Sequence, residues 1–142
     1  MKLSFLLITT FFILNLSFAQ VTKLDDWDSA KEQSELSGKK ILIILTGAEW
    51  CKPCVKMEKN VMENQQFIDY ANQNLIIFEI NIPRNQNYNT KTMKDYLHFK
   101  NKYVTNALPI MILVDKNGTE ILRISNNLSS LENVLEKLKK YN

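Results

Sequence analysis

A chain of 142 residues, 45% of them hydrophobic, is long enough for one domain with a full core. Its formal net charge is only +3, without a clustered basic face, which argues against a nucleic-acid partner; Lys39-Lys40 and the lysines from Lys137 to Lys140 read as solvated faces. Two cysteines and one histidine cannot complete a four-ligand zinc site, so no metal is expected.

The chain opens with Lys2, then an almost wholly apolar run from Leu3 to Leu16, then Ser17-Phe18-Ala19. A short positive start, an apolar stretch and a small-x-small end form the pattern of a secretory leader at residues 1–19. An uncleaved anchor is the other reading, but the run is short for a span of about 20 residues. We therefore expect cleavage after Ala19, a monomeric domain over residues 20–142, and a periplasmic or secreted location.

A polar helix is expected from the Asp25–Asp28 cluster to Leu36, capped by Asp26 or Asp28 and ended by Gly38. The β-branched run Ile41–Leu45 reads as a strand buried on both faces. Thr46-Gly47-Ala48-Glu49-Trp50-Cys51-Lys52-Pro53-Cys54 follows, then a helical stripe of Val55, Met57, Val61 and Met62. A short helix comes next over Asn64–Ala71, with Phe67, Ile68 and Ala71 inward, then a second buried strand, Leu75–Ile80. The Asn-rich stretch from Asn81 to Asn89, containing Pro83, reads as an exposed loop. The helix from Thr90 to Tyr103 is expected to turn Met93, Tyr96, Leu97 and the stem of Lys100 inward. Ile110–Val114 is a third strand, Asp115-Lys116-Asn117-Gly118 a hairpin turn, and Thr119–Ile124 the returning strand. Leu131, Val134, Leu135 and Leu138 mark a terminal amphipathic helix. His98 reads as a surface or packing residue of its helix.

Both cysteines sit three residues apart where a buried strand hands over to a helix. Unpaired backbone N–H groups and the helix dipole there favour an anion, so the first thiol should ionise more easily than a free cysteine. In an exported protein the pair could simply be a structural disulfide, but so short a loop constrains the unfolded chain little. Redox exchange is the stronger reading of the spacing. Pro53 suits the first helical turn, where no intrahelical N–H is needed. Lys52 either favours ionisation of the neighbouring thiol or is merely solvated.

Ala48-Glu49-Trp50-Cys51-Lys52-Pro53-Cys54 after a hydrophobic strand resembles the active-site segment of the thioredoxin superfamily. Ala107-Leu108-Pro109-Ile110 before a second apolar run is similar to that family's cis-proline loop. The resemblance extends from about Asp25 to the C-terminus. It implies an α/β fold, a thioredoxin-like three-layer sandwich with a mixed central sheet flanked by helices. It also implies a thiol–disulfide oxidoreductase without a bound cofactor, the electrons travelling as the dithiol. Cys51 is then the attacking nucleophile and Cys54 the thiol that resolves the mixed disulfide. Trp50, Leu108 and Pro109 would bind substrate, with the Leu108 backbone pairing to an extended peptide like an added strand; Trp50 could also be simple packing, and Pro109 simply the start of a strand. The implied partners are proteins with thiols or disulfides and a membrane electron-donor protein. A redox-silent module that holds extended peptides beside Pro109 is the competing reading. Two positions depart from the family pattern: Leu45 stands where a buried acid is usual, and Thr46-Gly47 replaces a bulky aromatic pair, which points to a less crowded site.

Overall fold

The computed structural model describes residues 20–141; the leader expected at 1–19 lies outside them. Five strands form one mixed sheet in the order β1-β3-β2-β4-β5. They are β1 (Lys23–Leu24), β2 (Lys40–Thr46), β3 (Leu75–Asn81), β4 (Ile110–Val114) and β5 (Glu120–Ile124). The central strand β2 runs parallel to β3, with Ile41 opposite Ile76, and antiparallel to β4, with Ile41 opposite Val114. The β4–β5 hairpin closes one edge. Five helices cover the sheet: α1 (Trp27–Ser37), α2 (Lys52–Met57), α3 (Gln65–Asn74), α4 (Lys91–Lys102) and α5 (Leu131–Lys140).

The two-residue period of β2 creates the layers. Leu42 and Ile44 point to one face, among Met57, Val61, Phe67, Val134 and Leu138 from α2, α3, α5 and the turn after α2. Ile41, Ile43 and Leu45 point to the other, among Ala30 of α1 and Met93 and Phe99 of α4. All five of these β2 residues are fully buried, and burying each contributes about 1.5–3 kcal/mol. This is the expected three-layer α/β sandwich.

Caps set the helix limits. Asp26 Oδ2 accepts a hydrogen bond from the Ser29 N–H at 2.9 Å, starting α1. Gly38 ends it at φ 73°, its N–H donating to the Ser34 carbonyl, a conformation a side chain would oppose. In the β4–β5 turn, Asp115 Oδ1 accepts from the Asn117 and Thr119 N–H groups at 2.8 and 2.9 Å.

Four details differ from the sequence reading. Helix α2 starts at Lys52, with Pro53 in its first turn as expected, but the chain continues over Glu58–Met62 as a π-helical turn in which the Glu63 N–H donates to the Glu58 carbonyl. Val55 is 44% exposed, off the buried stripe. In α4, Phe99 is the buried aromatic, while Tyr96 and Leu97 are half-buried, because the rings of Trp27 and Phe78 enclose Phe99 at 5.1 Å. Strand β1, paired with β3, was not anticipated. Among the described residues no helix is long and apolar enough to cross a membrane.

Candidate active site

Strand β2 ends at Thr46, and the chain must turn sharply to enter α2. The Gly47 carbonyl takes the N–H groups of Trp50 and Cys51 at 3.0 and 2.8 Å. The loop is tied to the end of β3: Ala48 N–H donates to Asn81 Oδ1 at 3.0 Å, and Ile82 N–H donates to the Thr46 carbonyl at 2.9 Å. Trp50 lies over this turn, its Nε1–H donating to the Ile82 carbonyl at 2.9 Å. A Cβ on Gly47 would meet the Trp50 ring at 2.7 Å. The sequence points to a less crowded site at Thr46-Gly47; instead the Trp50 indole fills the space above Gly47.

Cys51 occupies the cap position of α2 in extended backbone, and its Sγ accepts from the Cys54 N–H at 3.4 Å. The two cysteines are joined as a disulfide, with Cα atoms 5.2 Å apart. Cys54 is completely buried, whereas Cys51 retains 9% exposure, so an incoming sulfur reaches Cys51 first. Lys52 and Pro53 are exposed in the first turn of α2. Across from them the Leu108–Pro109 peptide bond is cis, and the Leu108 carbonyl lies 3.8 Å from Cys51 Sγ. Pro109 is buried and Leu108 half-buried. A groove of about 450 Å³ runs between Lys52, Pro53 and Lys56 on one side and Ala107, Leu108 and Pro109 on the other. The structure thus gathers Cys51, Cys54, Lys52, Pro53, Leu108 and Pro109 at one end of β2, with Trp50 over the turn beside them.

Leu45, at the usual place of the buried acid, lies in an all-apolar cluster with Ile43, Phe78 and Ile80. The chain does hold a half-buried carboxylate elsewhere, Glu79 on β3, which the sequence reading passed over. Lys23 Nζ binds Glu58 Oε1 at 2.5 Å and Glu79 Oε2 at 2.9 Å. Burial pushes the Glu79 carboxyl above its ordinary value, against the opposing pull of Lys23. Burial also works against the charged form of Lys23, but its bonds to Glu58 and Glu79 outweigh that and raise its pKa. His98 is exposed on α4, 5.2 Å from the Phe99 ring centre to centre.

A family model described as a thioredoxin-like domain matches residues 27–142. The chain belongs to the thioredoxin-like family. This thioredoxin-like chain is 25% identical over 101 residues to the disulfide bond reductase DsbH of Chlamydia pneumoniae, covering 69% of this chain and 61% of that protein. It is 29% identical over 99 residues to the thioredoxin-related protein DsbJ of the same organism, covering 70% of this chain and 28% of that one. The chain thus spans less than two thirds of the length of either curated relative. Among solved structures, a DsbH oxidoreductase superposes with a TM-score of 0.75 at 21% identity over 88% of both chains. A thioredoxin from Thermus thermophilus superposes with a TM-score of 0.63 at 14% identity, over 85% of this chain and 87% of that one. At those identities the structural matches speak for the thioredoxin fold.

Proposed function

We propose that this protein is an exported thiol–disulfide oxidoreductase that reduces protein disulfides through Cys51 and Cys54. One observation carries the reading: a Cys-x-x-Cys pair opens a helix, its first cysteine keeping 9% exposure and its second none. In the reduced enzyme the Cys51 thiolate attacks one sulfur of a substrate disulfide. That S–S bond breaks, a substrate thiolate leaves and takes up a proton, and a mixed disulfide remains on Cys51. Cys54 then loses its proton and attacks Cys51 Sγ, releasing the second substrate thiolate and leaving the Cys51–Cys54 disulfide. Two electrons pass from the enzyme to the substrate, and no bound cofactor takes part.

The α2 N-terminus supports the thiolate, since the Cys54 N–H already points at Cys51 Sγ. Leu108, with its carbonyl beside that sulfur, supplies backbone for an extended substrate, and Pro109 and Trp50 flank it. Lys52 and Pro53 tune the pair. The reductive direction is supported by the name of the Chlamydia pneumoniae relative, a disulfide bond reductase. The leader-like residues 1–19 support export and the mature start at Gln20. An exported reductase must be recharged from outside the cytosolic thiol pool, which makes a membrane electron-donor protein the fitting partner.

Trapping tests this directly. Cys54→Ser should accumulate a mixed disulfide with substrate protein, and Cys51→Ser should accumulate none and lose turnover. If neither variant differs from the wild type, and peptides still bind beside Pro109, the chain is a redox-silent binding module instead.

A further inference from the structure

We propose that the groove beside the Cys pair selects extended peptides that carry an acidic side chain next to their reacting cysteine. The inference rests on the exchange reading and specifies which substrates that site takes. Among the described residues, the charged ones lining the groove are Lys52 and Lys56, one helical turn apart on α2, and no carboxylate lines it. Both lysines are exposed. Neither forms an ion pair with a described residue, whereas Lys23, Lys31 and Lys91 each do. Glu49, the carboxylate of the motif, does not line the groove.

Ser125, Asn127 and Ser129 also line the groove and bring hydroxyl and amide side chains to it. These can donate to a carboxylate held between them and the lysines. Leu108 and Pro109 give the groove an apolar side against which an extended backbone can lie. A peptide with a basic residue next to its cysteine would bring a cation against two uncompensated cations, a like-charge contact that works against binding. Because exposed ion pairs are individually weak, the expected preference is about three- to tenfold rather than absolute.

The test uses three disulfide peptides identical except for the residues flanking the cysteine, which are acidic, uncharged or basic. Pre-reduced full-length protein is mixed with each, and the second-order rate constant is read from the loss of free thiols. At low salt the acidic peptide should react about three- to tenfold faster than the basic one, and the ratio should fall toward one in about 0.5 M salt. Lys56→Glu should bring the low-salt ratio to one or below. Equal rates for the acidic and basic peptides at low salt, or a ratio that Lys56→Glu leaves in place, would overturn the proposal while leaving the exchange reading intact. If none of the three peptides is reduced, the exchange reading falls and this proposal with it.

Discussion

A methyl group on Gly47 would sit 2.7 Å from the Trp50 ring, which is itself held by its bond to the Ile82 carbonyl. Trp50 is only half-buried, so the indole is the side that must shift. Gly47→Ala should therefore push the indole off the turn, cost about 1–3 kcal/mol in urea unfolding, and slow exchange by disturbing the approach to Cys51. A variant as stable and as fast as the wild type would show that the indole moves freely. This contact also marks what sequence can and cannot show at the scale of single residues. The placement of Cys51, Pro53 and Cys54 is legible because all three fall within one turn at the start of a helix. The Gly47–Trp50 fit depends on a carbonyl 32 residues further on, and no local pattern signals it. The departure at Leu45 was visible in the sequence, but the carboxylate on β3 was not, because Glu79 reads as an ordinary interruption of an apolar strand.

The elements carry two further consequences. Helix α4 ends with the Thr105 N–H donating to the Lys100 carbonyl at 3.0 Å and the Val104 N–H donating to Asn101 at 3.3 Å. This pattern places the residue after the cap in left-handed backbone, usually glycine. Here it is Val104, at φ 46° and 85% exposed. Val104→Gly should remove that steric cost, lose little burial, and stabilise the protein by about 1 kcal/mol; a loss of stability would mean that the valine makes contacts that outweigh it. The second consequence concerns the bridge among β1, β3 and the π-helical turn. Burial raises the Glu79 pKa above its ordinary value of 4.5. Between that value and the raised one, the folded chain holds a proton that the unfolded chain has released, so stability attributable to Glu79 falls as pH rises through this window. Urea unfolding from about pH 4 to about pH 7 should show wild type losing stability relative to Glu79→Gln as pH rises. A difference that is flat or runs the other way would contradict the assignment. Strand β1 and the π-helical turn escaped the sequence reading for a shared reason. Two residues of strand carry no period, and five residues of widened helix are too few to show a changed apolar spacing.

At the scale of the molecule, alternation along β2 decides the architecture: even positions serve the α2, α3 and α5 layer, and odd positions the α1 and α4 layer. A continuous buried run in the sequence signalled this strand, and the turn residues Asp115–Gly118 signalled the hairpin, so most of the fold could be read before any coordinates. The grouping of the candidate site residues was legible to the extent that the fold brings the Cys pair and the Leu108–Pro109 loop to the same end of that strand. Reading which aromatic of α4 is buried required the third dimension, since Phe99 is chosen by Trp27 and Phe78 from distant elements. The central claim is that Cys51 and Cys54 cycle between dithiol and disulfide in the reducing direction. Equilibrating the protein in glutathione buffers and counting free thiols measures this directly. The account predicts full and reversible exchange with a midpoint at or below about −220 mV. A midpoint near −120 mV would make the protein an oxidant, and thiols that exchange at no poise would contradict the redox function itself.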